Sequence, residues 1–131
     1  MKNNKKFLGV ALITLLAILS FTVVQLSGEK EDIIGTWVSE DTPEWKWVFK
    51  SDGKCYDYYD GVLTDTYTYT LSTSSPQCGQ VVPTGDKFTY LKLVDDKDST
   101  NTFCYEVFSL DKTNLEIRMF DRASFLRFVK Q

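Results

Sequence analysis

From Ile33 onward the chain is cut into short runs of Trp, Tyr, Phe, Val, Ile and Thr by clusters of Gly, Pro, Asp, Asn and Ser. No gap between these runs is long enough for a crossover helix, so parallel strand pairing is excluded and neighbouring runs must pair antiparallel. The runs are IIGTWVS, EWKWVFK, KCYDYYD, TDTYTYTL, KFTYLKLV, TFCYEVFSL, LEIRMF and SFLRFVK. β-Branched and aromatic side chains suit a pleated, half-buried surface, and the intervening residues favour turns. Several runs alternate with period two. Trp45, Trp47 and Phe49 share one face against Glu44, Lys46 and Lys50, and Tyr67, Tyr69 and Leu71 oppose Thr66, Thr68 and Thr70. An eight-strand meander with one buried face removes its exposed edges by closing on itself, which predicts an all-β, eight-stranded antiparallel up-and-down barrel. A two-sheet sandwich needs longer connections, and only one connection here is long.

The residues ahead of this region read as an address. Lys2, Lys5 and Lys6 give a basic start, Phe7 to Leu26 is mainly apolar, and Ser27 with Gly28 are the small residues signal peptidases favour. About 20 apolar residues also suffice to span a bilayer, so residues 1–28 are expected to be either a cleaved signal peptide or an uncleaved anchor. Both carry the remainder, a domain over residues 33–131, across a membrane. Membrane contact is expected only through the N-terminal segment. Cys55 is the first cysteine, far from the apolar run, so a lipid-modified cysteine at the mature N-terminus is not supported.

Charge and chemistry narrow the function. The leader takes three of the fifteen basic residues and none of the eighteen acidic ones, leaving twelve against eighteen in the exported part. A formal charge of −6 repels nucleic acid and anionic lipid. The sequence has no histidine, the usual proton-transfer group near neutral pH, and no Cys-x-x-Cys pair. These features predict a non-catalytic protein without cofactor or metal. In an oxidising compartment, Cys55, Cys78 and Cys104 should form one disulfide and leave one thiol. In a meander, Cys55 and the loop carrying Cys78 share one end of the barrel, so Cys55–Cys78 is the expected pair, with Cys78–Cys104 as the alternative.

The pattern resembles the lipocalin superfamily, specifically its short exported bacterial members, over Ile33 to the end. The resemblance rests on GTW at Gly35 to Trp37, the hairpin WVFKSDGK at Trp47 to Lys54, and a basic residue in the closing strand FLRFVK. It implies a bacterial envelope location, periplasmic or secreted. It also implies a barrel end closed by Trp37 beneath a basic side chain, for which Arg127 is the match. A guanidinium on an indole adds cation–π attraction while its donors reach chain-end carbonyls. The C-terminal helix and the other two signatures of the long lipocalins are missing.

Trp45, Trp47, Phe49, Tyr67, Tyr69 and Tyr105 are the expected lining of a pocket for a small hydrophobic or amphipathic ligand. The same side chains equally serve to fill a small barrel, in which case the alternative is an envelope protein-interaction or inhibitor module. CYDYYDG, Cys55 to Gly61, places Asp57 and Asp60 among tyrosines; as a catalytic or sugar-binding pair they compete with the plainer reading of a strand running into an Asp-Gly turn. The acidic VDDKDST, Val94 to Thr100, lacks the ligand spacing of a calcium loop and reads as a solvated turn. Ser72 to Asp86, with two prolines and a cysteine, is expected to be a tethered lid over the barrel mouth.

Overall fold

A computed structural model describes residues 28–131. The chain divides into two units, Met1–Glu31 and Asp32–Gln131. Of the first unit, residues 28–31 are described and are helical. The signal peptide or anchor expected over residues 1–28 lies outside the described residues except for Gly28.

The second unit is a closed antiparallel barrel with strands in sequence order. The strands are β1 (Gly35–Ser39), β2 (Trp45–Phe49), β3 (Lys54–Tyr59), β4 (Val62–Ser72), β5 (Thr89–Asp95), β6 (Thr102–Leu110), β7 (Asn114–Met119) and β8 (Leu126–Lys130). β1 closes the ring by pairing β8, with Trp37 opposite Lys130 and Ser39 opposite Phe128. Each run that alternates in sequence keeps its apolar face inward: Trp37, Trp47, Phe49, Leu91, Leu93, Leu115, Ile117 and Phe128 are all buried in one core. Trp47 is the hub of that core. Its ring stacks on Phe128 at 4.9 Å and meets Trp45, Phe49 and Tyr105 edge to face at 5.1–5.9 Å.

Local chemistry sets the connections. Asp60 (φ 50°) and Gly61 (φ 76°) join Tyr59 to its partner Val62, a two-residue turn with both central residues in the left-handed region that Asp-Gly accepts. Sequence places Val62 and Leu63 in a turn; the tightness of Asp60–Gly61 instead puts them in β4. The acidic turn after β5 uses its own carboxylates, with Asp95 accepting from Lys97 N and Asp98 from Thr100 N.

The disulfide joins Cys78 to Cys104, and Cys55 is free and buried. The expected Cys55–Cys78 pair fails because sharing a barrel end is not sharing a face. Cys55 points into the barrel opposite Tyr67, whereas Cys104 lies on the outward face of β6, opposite Lys92. The loop carrying Cys78 therefore runs over the outer wall and is no lid over the mouth. It covers Tyr90 and Cys104, both outward-facing yet buried, and seals them with the buried side chain of Gln77. Gln77 Nε2 donates to Ser72 Oγ and Ser74 O at 2.9 Å, and Tyr90 Oη donates to Pro83 O at 2.6 Å. The loop is a strap, held because its polar groups find partners as it buries the wall.

At the start of β1, Trp37 is fully buried and its Nε1 donates to Ile33 O at 2.7 Å. The cation over its ring is Lys130, with Nζ 5.2 Å from the centroid and donating to Asp32 O at 2.8 Å. The expected Trp37–Arg127 pair is thus corrected. Phe128 points inward, so period two sends Arg127 out, where it donates to Glu116 at 2.8 Å and sits over Phe125, and returns Lys130 to the inner face. Gly35 (φ 139°) passes directly under Lys130, where a Cβ would stand 2.5 Å from its Cε.

Candidate functional site

The six aromatic residues expected at a pocket all belong to one packed core and are spread along its length. Phe49 and Tyr69 pack edge to face at 5.0 Å, and Tyr69 Oη donates to Lys50 O at 2.8 Å, which ties both to the β2–β3 hairpin end. Trp45, Trp47, Tyr67 and Tyr105 lie towards the opposite end and surround a residue that sequence reading treats as half of a carboxylate pair, Asp57. Its supposed partner, Asp60, is spent in the β3–β4 turn.

Asp57 follows Cys55 by two residues on β3 and so faces inward, opposite Trp47 on β2 and Asp65 on β4. One carboxylate oxygen accepts from Trp45 Nε1 at 2.8 Å. Trp47 Nε1 is buried and turned to the same carboxylate in a looser geometry.

The electrostatics are one-sided. Burial pushes the Asp57 carboxyl above its ordinary value, the indole N–H groups of Trp47 and Trp45 pull it back, and the charge of Asp65 raises it again. Burial followed by the charges of Asp65, Asp57 and Asp95 pushes the Tyr67 phenol up to about 12. Tyr105 is driven well above an ordinary phenol by burial and then by Tyr67, Asp57 and Cys55, with Arg122 alone opposing. The Cys55 thiol is raised for the same reasons, burial first and Asp57 second. Ion pairs among the described residues are Lys54–Asp96, Arg118–Glu106 and Arg127–Glu116; none involves Asp57 or Asp65.

Beside this polar centre runs an apolar lip. Trp45 is the cross-strand partner of Tyr59, and Tyr59 of Val62, so three strands carry one row of apolar side chains out of the mouth. Tyr59 is 52% and Val62 64% exposed. Two surface hollows of about 160 and 180 Å³ lie elsewhere. One sits where β6 and β7 part beside the disulfide, lined by Phe103 and Phe120; the other lies between Glu116 and Glu40. Both are smaller than the roughly 300 Å³ at which small-molecule pockets begin.

Asp57, Asp65 and Lys130 are the residues that sequence reading undervalued. Counting by twos from the inward Cys55 and Phe128 marks Asp57 and Lys130 as inward, and polar residues on an apolar face are the informative ones. Set against known proteins, the chain matches no family model, no curated sequence and no solved structure.

Proposed function

We propose that this chain is an exported, lipocalin-like, non-catalytic barrel that binds a small amphipathic molecule at the mouth, with its polar group at Asp57 and its apolar part along Trp45, Tyr59 and Val62. The carrying observation is the half-buried Asp57 carboxylate, with two indole N–H groups turned to it, at the foot of an exposed apolar row. A polar group would bind at that carboxylate, and the row would supply the apolar area that orients the rest. Rings already occupy the space around Trp47, which favours the rim over the barrel axis for such a site. The Cys78–Cys104 disulfide suits an oxidising compartment, and the Gly35–Trp37–Lys130 arrangement suits the lipocalin resemblance with lysine in place of arginine.

Titration with the neutral fluorophore N-phenyl-1-naphthylamine tests the reading. Saturable one-to-one binding is expected, with quenching of tryptophan emission. Tyr59→Ser with Val62→Ser should weaken it at least tenfold at unchanged melting temperature, because both side chains are exposed. Absence of saturable binding to the parent protein would sink the proposal.

The filled-barrel alternative has one observation of its own. Next to the inward Val107, period two turns Phe108 outward, 45% exposed, and Arg118 lies 5.0 Å above its ring. Aromatic and Arg side chains together are the composition of interface centres. Under that reading, Phe108→Asp would abolish co-purification of an envelope protein while sparing fluorophore binding.

A further inference from the structure

We propose that the Cys78–Cys104 disulfide is a thiol-exchange site that latches the strap: a small dithiol seated in the hollow beside it attacks the sulfur of Cys78, and the strap leaves the outer wall while the barrel stays folded. The proposal stands apart from the ligand reading and uses none of the residues at the mouth.

The two half-cystines are unlike. Cys104 is 4% exposed, on the outward face of β6. Cys78 is exposed, at the apex of a two-residue turn in which Gln77 and Gln80 exchange both backbone hydrogen bonds at 2.9 Å. Both central residues have positive φ, 47° at Cys78 and 75° at Gly79. Such a turn suits glycine or asparagine, so the cysteine there answers to its bond with Cys104 and not to the backbone. A nucleophile reaches the residue at the apex before the one in the wall, and disulfides exposed in this way are the labile ones.

A hollow of about 160 Å³ adjoins the bond, lined by both cysteines and by Phe103, Met119 and Phe120, with Asp121 the one charged residue among its walls. That volume is too small for a drug-sized ligand but admits the few heavy atoms of a small thiol. The apolar walls favour an uncharged stem, and Asp121 repels an anionic one.

The strap has no apolar core of its own. Over residues 73–88 only Gln77 is buried. Apart from the disulfide it is tied through polar groups: Gln77 Nε2 to Ser72 and Ser74, Val82 N to Ser75 Oγ at 3.0 Å, and Tyr90 Oη to Pro83 O. Water replaces such bonds at small net cost. The packed core inside the barrel includes neither Cys78 nor Cys104, so opening the latch leaves it in place.

In the exchange, a thiolate of the dithiol forms a bond to Cys78 Sγ as the bond between the two cysteine sulfurs breaks. The electron pair goes to Cys104 Sγ, which takes up a proton. The second thiol of the reagent then displaces Cys78 from the mixed disulfide, so the dithiol is oxidised to its own disulfide and the protein is left with two thiols.

The full chain is treated at neutral pH, without denaturant, with cysteamine or 2-mercaptoethanesulfonate, trapped with iodoacetamide and mapped by peptide mass spectrometry. The thiol adduct is expected on Cys78 and the alkyl group on Cys104. Cysteamine should react about fivefold faster than the sulfonate once each rate is divided by its rate on a linear disulfide peptide. After reduction by dithiothreitol, alkylation and removal of the reagents, thermolysin should cut the strap at Val81 or Val82 about tenfold faster, with the near-ultraviolet circular dichroism of the barrel retained. Cys78→Ser combined with Cys104→Ser should give the same fast cut with no reductant. Exchange that requires denaturant, an adduct on Cys104, equal corrected rates for the two thiols, unchanged cleavage of the strap, or loss of the near-ultraviolet spectrum on reduction each overturns the proposal.

Discussion

Substituting Gly35 by alanine tests how the start of the barrel is built. The substitution has two separable costs. The backbone sits at φ 139°, a region that a residue with a Cβ enters at about 1–3 kcal/mol. The new Cβ would also stand 2.5 Å from Lys130 Cε, so the lysine side chain must move. Moving it breaks a charged hydrogen bond from Nζ to Asp32 O, about 1.5–3 kcal/mol, and the attraction to the Trp37 ring, about 0.5–2 kcal/mol. Gly35→Ala should therefore destabilise the parent by about 3–8 kcal/mol. In a Lys130→Ala background the second cost is already spent, and the same change should take only about 1–3 kcal/mol. Urea unfolding followed by circular dichroism, with the four proteins of this cycle compared at unchanged m value, measures the difference. Equal costs of Gly35→Ala in the two backgrounds would refute the view that glycine is required by the lysine above it.

Arg127→Ala, on the outer wall, should leave the melting temperature unchanged, against a measurable fall for Lys130→Ala by thermal unfolding. Cys55 should resist a thiol reagent until the protein is denatured, because it is fully buried with its thiolate disfavoured, and reduction of Cys78–Cys104 should cost about 2–4 kcal/mol for a loop of this length. Asp57→Asn should raise stability at pH 7. The native carboxyl holds its proton more tightly than an unfolded aspartate, with its pKa near 3.9, so the parent loses stability as pH rises from about 4 through the native value and stays lower above it. The gain should fade towards pH 3, as thermal melts across that range will reveal. Tyr90→Phe should cost about 1 kcal/mol by leaving Pro83 O without its donor, and should speed proteolysis of the strap.

Period two made most of the wall legible. It placed Trp45, Trp47, Phe49, Tyr67 and Leu71 on the inner face and fixed the number and direction of the strands. It was also sufficient to prefer Lys130 over Arg127 and to put Asp57 inside. The family resemblance drew attention to the arginine instead, and Asp57 read as one more residue of a strand running into an Asp-Gly turn. The strap was illegible for a different reason. A run of Ser, Pro, Gly and Gln carries no periodicity, so the side of the wall it covers depends on what it can bury, here Tyr90 and Cys104, and on where Gln77 finds acceptors.

The sequence by itself determined a closed antiparallel barrel, because short alternating runs joined by tight turns leave one face to bury and no helix to cover an edge. Which cysteines meet, which cation rests on Trp37, and which polar groups gather at the mouth were decided only by the tertiary structure. Those facts depend on contacts between residues far apart in the chain. Closure of the ring, strand tilt and the bulges at Asp57–Tyr58 and Val107–Ser109 set which distant side chains share a face, and local pattern carries no record of them.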